Sequence, residues 1–383
     1  MNLGIKMRTL GSVCEDRNNG FNFLRILAAT GILVAHCMLV VPVYDFDLPK
    51  ALEDFAFGAD LLLSVFFVFS GFLITASLER NQNIARFAVA RILRIFPGLI
   101  VVSLLLVFLV GPIMTSLPMA HYFAHAETWF YFPMAAVFLD ATASLPGLFE
   151  KNPVAGAINI PVWTLRYEVI IYAMFPFLFI ALSWMRANAM PHVLAILLLI
   201  LIAVKLLSDT LVIDTSPAHL VNFTMSFLTG SLIWIYRHRI PNSIVLVIGL
   251  WVLFGLSSDP DLSYVLGVFA AGFMFIWLAF IDFEPLRSYN SFGDYSYGTY
   301  IIHFPVAQII FQLLPAISPV QLSVLTIAVT LPLAILLWRY VESPSLSMVK
   351  SVSYRLSNYL NRWSLAFTGR EWFRSQIVRA NTV

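Results

Sequence analysis

The chain has 383 residues, of which 60% are hydrophobic and only 11% are charged, and its formal net charge is +2. Soluble domains carry about 25% charged residues, so this composition excludes a water-soluble globular protein and indicates that lipid surrounds most of the chain. Cys14 and Cys37 are the 2 cysteines, too few for a disulfide framework or a metal cluster, so we expect no metal site. We also expect no nucleic-acid partner.

About ten apolar segments along the chain approach the ~20 residues that a transmembrane helix requires. They are predicted at 21–43, 58–78, 95–115, 162–184, 192–208, 219–236, 243–257, 261–281, 296–315 and 319–340. The predicted fold class is therefore all-α, a polytopic membrane helical bundle of about ten transmembrane helices. Residues 1–20 should form a polar head without a cleavable signal peptide, 21–346 the transmembrane domain, and 347–383 a C-terminal tail.

Basic residues are distributed unevenly between alternate loops. When the N-terminal head is placed inside, most of the 23 Lys and Arg residues fall in inside segments. The outside loops then hold only Lys50 and Lys151, with Lys205 near one rim. Because cytoplasmic loops of membrane proteins carry the excess of Lys and Arg, both termini are predicted to be cytoplasmic. The longest loop, 116–161, is predicted to face outside.

A small set of ionisable side chains lies within the predicted spans or at their ends. Each costs about 2.5–3.5 kcal/mol on insertion scales, so each requires a partner or a function. These residues are Arg25, His36, Asp60, Arg166, Glu168, His303 and Glu342.

Arg25 and His36 lie on nearly one face of the first span, about 16 Å apart along the helix axis. Arg25 is therefore expected near the cytoplasmic rim and His36 near the middle of the membrane. A neutral imidazole at that depth is a candidate general base. The alternative is a histidine that only hydrogen-bonds a neighbouring helix.

The second and third spans each carry one polar feature. Ser70 and Gly71 form a small-residue notch in an aromatic segment, which is typical of close helix packing. Arg91 and Arg94, three residues apart, place two guanidinium groups on one helix face at the cytoplasmic mouth of the third span. Such a pair suits an anionic ligand with several phosphates. The alternative is that both arginines satisfy the positive-inside rule and contact lipid headgroups.

The fourth span opens with Trp163 and places Glu168 about one turn into the membrane. A carboxylate at that depth is costly unless it is paired, and Arg166 points to a different face of the helix. Glu168 is therefore predicted to face a polar cavity, with an ion pair to another helix as the alternative. His303 precedes Pro305 near the start of the ninth span and is expected to serve mainly in packing.

Taken together, these stretches resemble the acyltransferase-3 family of membrane O-acyltransferases. The matching elements follow one another in the family's order over about residues 20–346. They are Arg25 with His36 at Arg-x10-His spacing; Phe66 to Ile74; Arg91-x-x-Arg94 with Phe96-Pro97; Trp163-x-Leu-x-x-Glu168 with Tyr172 and Pro176; Gly293 to Tyr300; His303-Phe-Pro305; and Glu342-x-Pro344.

The resemblance implies that an acyl group, expected to be acetyl, passes from cytoplasmic acyl-CoA to a hydroxyl of a glycan or glycoconjugate at the opposite face. Acyl-CoA would be a co-substrate, with no tightly bound cofactor, and the bilayer would be the bacterial cytoplasmic (inner) membrane. His36 matches the family's essential histidine and Arg25 its partner, and we group Glu168 with them as catalytic. Arg91 and Arg94 match donor-site arginines, with which we group Ser70. Further family positions are Asp60, Trp163, Tyr172, Asp294, Tyr297, His303 and Glu342.

Many members of this family carry an additional extracytoplasmic hydrolase-like domain, and we expect none in this chain. Two routes to product therefore stay open: the protein completes the transfer alone, or it passes the acyl group to a separate extracytoplasmic partner protein. His36 could act as a base or could first be acylated itself. The alternative class of protein is a proton-coupled secondary transporter or flippase. That class predicts inverted repeats, which the sequence does not display.

Overall fold

The structure, a computed structural model, describes residues 8–14, 19–41, 58–80, 83–183, 189–207 and 215–368. Within these residues the chain is helical and contains no strand beyond an isolated bridge between Thr9 and Pro241. The helices of 13 residues or more are α1 (Phe21–Val40), α2 (Ala59–Arg80), α3 (Ile84–Leu105), α4 (Val162–Ser183), α5 (Ala189–Leu206), α6 (Thr215–Ile235), α7 (Ile244–Leu256), α8 (Pro260–Ala279), α9 (Ser296–Leu313), α10 (Pro319–Leu337) and α11 (Val349–Thr368). The all-α fold class is confirmed.

The predicted spans coincide in order with helices α1 to α10, and α11 lies in the predicted tail. Among the described residues, 6 helices are long and apolar enough to cross a membrane. They are Phe21–Val40, Ala59–Arg80, Ile84–Met114, Ala218–Ile235, Pro260–Ala279 and Pro319–Tyr359. The protein is therefore a multi-pass membrane protein, while the number of spans and the cytoplasmic location of the termini remain predictions.

Helix α3 begins well before the span predicted from residue 95. Asn83 caps it by accepting the Arg86 backbone N–H at 2.9 Å, and a π-helical turn, Leu106–Val110, carries it on to Met114. Hydropathy detects only the apolar part of such a helix. The first turns of α3 carry arginines, so a hydropathy profile does not show that the helix starts there. Arg91 and Arg94 lie inside a regular helix.

Helix α10 also continues beyond its predicted end. The π-helical turn Trp338–Glu342 and the short helix Ser343–Ser347 join it to α11, which packs on α3. π-turns are rare in proteins overall, and those that occur are often found at functional sites. Here the turn directs Glu342 inward, where only 1% of its surface is exposed.

Close packing of α2 on α6 depends on two glycines. A Cβ atom added at Gly71 would lie 1.8 Å from the carbonyl oxygen of Phe227, and one added at Gly230 would lie 1.9 Å from that of Val68. Neither position has space for a side chain, so the two backbones approach as small residues allow in membrane helices. This contact holds the wall of α2 from which Ser70 projects.

Segments predicted to be cytoplasmic lie together at one end of the bundle. Two backbone hydrogen bonds join the head to the loop after α6. The N–H of Leu10 donates to the carbonyl of Ile240 at 2.9 Å, and the N–H of Asn242 donates to that of Arg8 at 2.8 Å. The N–H of Gly20 likewise donates to the carbonyl of Ala279, at the end of α8. Parts of the predicted topology lie outside the described residues, including Lys50, residues 1–7 and residues 369–383.

The loop predicted to face outside packs on the opposite end. It contains the helices Met119–Ala124 and Ala126–Ala136 and a segment anchored to α9. Pro305 lacks the N–H that would bond the carbonyl of Ile301, and the Asn159 side chain donates to this carbonyl instead, at 2.9 Å. The loop thereby repairs the helix at the turn that carries His303.

Candidate active site

A cavity of about 370 Å³ lies between α1, α2, α3, α4 and α9. Its apolar wall is formed by α2, with Leu63, Phe66 and Phe69. The sequence-predicted residues that line it are Arg25, Ser70, Arg91, Arg94, Glu168, Tyr172, Asp294 and Tyr297. The fold thus gathers charged and hydroxyl groups from five separate segments around one space.

Two carboxylates pair with Arg94 at one end of this cavity, and one of them also pairs with Arg25. Asp294 Oδ2 accepts from Arg25 Nη1 and from Arg94 Nη2, each at 2.6 Å, and Arg94 Nη1 donates to Glu342 Oε2 at 3.0 Å. Burial raises the pKa of the Asp294 carboxyl, which precedes α9, but the charges of Arg25 and Arg94 outweigh this effect and lower it to about 2. Asp294 therefore stays ionised at neutral pH.

This network shows how two predicted site residues are held. Arg25, which the family resemblance groups with His36, forms its ion pair with Asp294, about 16 Å along α1 from His36. Arg94 was expected to bind phosphates together with Arg91, and two of its five N–H donors are used by the carboxylates of Asp294 and Glu342. Its guanidinium is also held between the rings of Tyr297 and Trp338, at 5.6 Å from each centroid.

Arg91 presents a different environment on the same helix face. Its guanidinium lies 5.5 Å from the ring centroid of Tyr172 and 5.8 Å from that of Phe87. Its Nε atom is buried and has no hydrogen-bond partner among the described residues. Because Arg91 lines the cavity without an ion pair in this part of the chain, its donors remain available to an anion.

A short chain of hydroxyl and carboxyl groups crosses the middle of the cavity. Tyr172 donates its O–H to Glu168 Oε1 in a short contact. Since that proton is used, the 2.9 Å contact between Ser70 Oγ and the Tyr172 oxygen requires Ser70 to donate. Glu168 is therefore held by a neutral hydrogen-bonded partner one helical turn away.

His36 contacts His303, and neither histidine lines the cavity itself. The Nδ1 atom of His36 lies 2.8 Å from the Nε2 atom of His303, and the two rings are nearly parallel, at 19°. His303 is completely buried, whereas His36 retains some exposure. Tyr300 lines the cavity and its ring centroid lies 6.0 Å from that of His303, so it connects this pair to the cavity. His36 thus bonds a neighbouring helix, and its other ring nitrogen has no hydrogen-bond partner among the residues that the structure describes.

Two predicted positions lie away from this centre. Asp60 is exposed in the first turn of α2. Trp163 packs in an aromatic cluster, with ring centroids 4.7 Å from His219 and 5.6 Å from Phe223. Neither residue lines the cavity.

Sequence reasoning assigned no role to Thr164 or Tyr300, although both lie within quoted motifs. Thr164 Oγ1 and the Tyr300 hydroxyl are 2.6 Å apart, and both residues line the cavity. Their register on the helices is the only available signal, because neither carries a charge that hydropathy would detect. Within the described residues, no three His, Cys, Asp or Glu side chains are grouped to hold a metal ion.

Comparisons with known proteins agree with this architecture. The acyltransferase-3 family, described as an acyltransferase domain, matches residues 18–339. An O-acetyl transferase of Shigella phage Sf6 is 27% identical over 321 residues, which cover 78% of this chain and 87% of the relative. The peptidoglycan O-acetyltransferase OatA of Listeria monocytogenes is 25% identical over 343 residues, covering 76% and 52% of the two chains. Nodulation protein 10 of Rhizobium leguminosarum bv. viciae is 30% identical over 187 residues, covering 46% and 48%. No solved structure matches.

The family match spans most of the chain and includes all lining residues of the cavity except Leu346, from α1 to the start of the π-turn after α10. The alternative class, a secondary transporter or flippase, has no support from these comparisons. The chain therefore belongs to the acyltransferase-3 family of integral-membrane O-acyltransferases, and it is an acyltransferase enzyme.

Proposed function

We propose that this enzyme transfers an acetyl group from acetyl-CoA on the cytoplasmic side to a hydroxyl of a glycan or glycoconjugate at the other face of the bacterial cytoplasmic membrane. The observation that carries the proposal is the cavity itself, which is lined by Arg25, Arg91 and Arg94. Tyr300 also lines it, and the ring of Tyr300 lies 6.0 Å from that of His303, which contacts His36. The names of two relatives support acetyl as the group transferred, and one of them specifies peptidoglycan, a glycan polymer.

The donor would enter from the end that bears the arginines. Arg91, with unused donors, and Arg25, whose side chain is 26% exposed, are the cations that a phosphate could reach. Arg94 would act indirectly by holding Asp294 and Glu342 in place. This assignment refines the expectation that Arg91 and Arg94 share the phosphate.

The size of the cavity fits a thin chain with a short acyl group. Ligand sites commonly measure about 300–1,000 Å³, so a cavity of about 370 Å³ would take the pantetheine arm while the nucleotide stays at the mouth. The ~16 Å between Arg25 and His36 along α1 is comparable with the reach of an extended arm. The thioester would then lie near Tyr300 and Thr164, whose hydroxyls bond each other and the carbonyl oxygen of Pro161. One of these hydroxyls would have to turn from that carbonyl to stabilise the oxyanion.

His36 would supply the chemistry. As a base, it takes the proton of the acceptor hydroxyl while the acceptor oxygen bonds the thioester carbon and the carbon–sulfur bond breaks. The proton then passes from His36 to the leaving thiolate, which leaves the enzyme unchanged. In the second route Nε2 of His36 bonds the thioester carbon as the carbon–sulfur bond breaks and CoA leaves as a thiolate. The acceptor oxygen then takes the acetyl group from His36, and the proton that the acceptor loses balances the thiolate.

The proposal is tested with the full chain in lipid nanodiscs and acetyl-CoA, by measuring released CoA chromatographically with and without glycan acceptors. We expect acceptor-dependent CoA release that His36→Gln abolishes. Mass spectrometry of surface glycans from a deletion strain would identify the acceptor through lost acetyl groups. Glycans with an unchanged acetyl content, together with no thioester cleavage by the purified protein, would overturn the proposal.

A further inference from the structure

The two histidines end a chain of hydrogen bonds that starts at a backbone carbonyl. The Nδ1 atom of His303 lies 3.0 Å from the carbonyl oxygen of Thr299, one turn earlier in α9. The Nε2 atom of His303 lies 2.8 Å from the Nδ1 atom of His36. Both ring nitrogens of His303 are therefore engaged, whereas within the described part of the chain only one ring nitrogen of His36 is.

The chemistry of these atoms sets the position of each proton. A carbonyl oxygen can only accept, so the Nδ1 atom of His303 must carry a hydrogen. His303 is completely buried, and no carboxylate contacts it among the described residues, so a second proton would create an uncompensated buried charge. Its Nε2 atom then holds a lone pair, and His36 must donate from Nδ1.

We propose that His303 is a positioning residue that holds His36 as the Nδ1–H tautomer, which leaves the lone pair of His36 on Nε2 as the reacting atom. This inference rests on the proposed function, in which His36 is the base or acyl carrier. In serine hydrolases a buried carboxylate orients the catalytic imidazole in the same manner. Here a neutral imidazole takes that place.

The arrangement also defines the path of the proton during transfer. The acceptor O–H gives its proton to Nε2 of His36, the new carbon–oxygen bond forms, and the carbon–sulfur bond breaks. The imidazolium formed on His36 keeps its Nδ1–H on His303, whose lone pair stabilises the positive charge. The same Nε2 atom then returns the proton to the thiolate of CoA, so His303 needs no net change of protonation.

The fold supports this geometry from outside the pair. His303 lies one turn after Thr299 in α9, and Asn159 occupies the carbonyl of Ile301 that Pro305 leaves without its usual partner. The ring of Phe304 stands at 88° to that of His36, with centroids 5.7 Å apart, and closes one side of the imidazole. The His36 ring is thus held against rotation that would exchange its two nitrogens.

The test measures the tautomer directly and does not depend on turnover. Full-length protein with ¹⁵N-labelled histidine is studied by solid-state NMR in lipid, and the His36 signals are assigned as those missing from His36→Gln. We expect a protonated Nδ1 and an unprotonated Nε2 in the wild type. The Nε2–H tautomer as the main species would overturn the proposal.

Two variants link the tautomer to catalysis. His303→Leu removes the acceptor, so we expect a mixture of His36 tautomers and a fall in kcat of about 10²–10⁴-fold at an unchanged KM for acetyl-CoA. His303→Gln offers an amide oxygen to the same N–H, so it should restore part of the Nδ1–H population of His36 and part of kcat. If His303→Leu does not fold, the wild-type spectrum and His303→Gln still decide the question.

His192→Gln is the control, because His192 is exposed on α5. This substitution should change neither the His36 tautomer nor kcat. A wild-type kcat and an unchanged tautomer in His303→Leu would overturn the positioning role. Failure of the proposed function is distinguishable, since the wild-type protein would then release no CoA from acetyl-CoA, whereas the NMR spectrum reports the tautomer without turnover.

Discussion

Arg25 and Asp294 form an ion pair of 2.6 Å that ties the first long helix to the segment preceding α9. The same carboxylate oxygen accepts from Arg94 at 2.6 Å, so one anion joins three segments that are distant in the sequence. Asp294 and Arg94 are only 9% and 11% exposed, so water compensates these charges poorly. The pair therefore fixes the shape of the cavity mouth as well as its charge.

Asp294→Asn should destabilise the protein, because it keeps the side-chain size but leaves two guanidinium groups without their shared anion. Removing one partner of a buried ion pair costs about 3–5 kcal/mol, and we expect the lower end because Arg94 retains Glu342. The measurement is the apparent melting temperature in detergent. Asp282→Asn is the control, since Asp282 pairs with Arg287 at 2.7 Å but is 91% exposed and should cost less than about 1 kcal/mol. Equal losses in the two variants would contradict a structural role for Asp294.

The pH dependence of this contribution follows from the depressed pKa of Asp294, about 2 in the folded protein against an ordinary value of 3.8. Stability from its charge is present above the unfolded pKa and is lost as the pH falls through the folded one. The difference in melting temperature between wild type and Asp294→Asn should therefore be constant above about pH 5. It should shrink only in strong acid.

The two arginines of α3 should separate in function. Arg91→Ala should weaken acetyl-CoA binding by about 10–100-fold at unchanged stability, because a charge-assisted bond to a phosphate contributes about 1.5–3 kcal/mol. Arg91→Lys should restore only part of it, since the planar fork is lost. Arg94→Ala should mainly lower the melting temperature. Calorimetric titration measures the affinities, with Arg86→Ala as control because Arg86 is exposed outside the cavity. Unchanged affinity in Arg91→Ala would reduce this residue to a topology signal.

The sequence could predict the helices but not the partners of the charges. Long apolar segments and the bias of basic residues indicate whether lipid or water surrounds each segment. The order of the helices and the ionisable residues within them could therefore be predicted. The contacts of Arg94 with Asp294 and Glu342 depend on tertiary packing and on a π-turn that has no hydropathy signature. For the same reason the hydrogen bond between His303 and His36 could not be predicted from either residue alone. The position of an ionisable residue in the sequence predicts its depth in the membrane, whereas its partner is seen only in the folded structure.

Packing of α2 on α6 offers a test of the fold that is independent of chemistry. Gly71→Ala would place a Cβ 1.8 Å from a backbone oxygen, so the helices must separate. Overpacking of this kind costs about 1–3 kcal/mol, which should lower the apparent melting temperature. Gly249→Ala is the matched control, because nothing lies within 4 Å of its added Cβ. It should be neutral or slightly stabilising, and a comparable loss in both variants would argue against the α2–α6 contact.

Topology can be tested with cysteines introduced at Arg86 and Lys151, both exposed in the structure. If charge bias sets the orientation, an impermeant thiol reagent should label Lys151→Cys in intact cells and Arg86→Cys only after permeabilisation. The native background should be low, since burial raises the pKa of the Cys14 thiol to about 12 and Cys37 is buried. Labelling of position 86 but not 151 in intact cells would reverse the predicted orientation.

His36→Gln addresses the centre of the mechanism. Glutamine keeps a group that can donate to His303 but removes the basic nitrogen, so it separates a structural histidine from a catalytic one. Loss of a general base typically lowers the rate by about 10²–10⁴-fold, and loss of an acyl carrier would be at least as severe. We therefore expect normal membrane abundance, a near-wild-type melting temperature and almost no acetyl transfer. His36→Ala should lose both activity and some stability, because His303 would then lack its partner in a buried site. Acetylation by His36→Gln within a few-fold of the wild-type rate would show that the contact with His303 is the whole role of this residue.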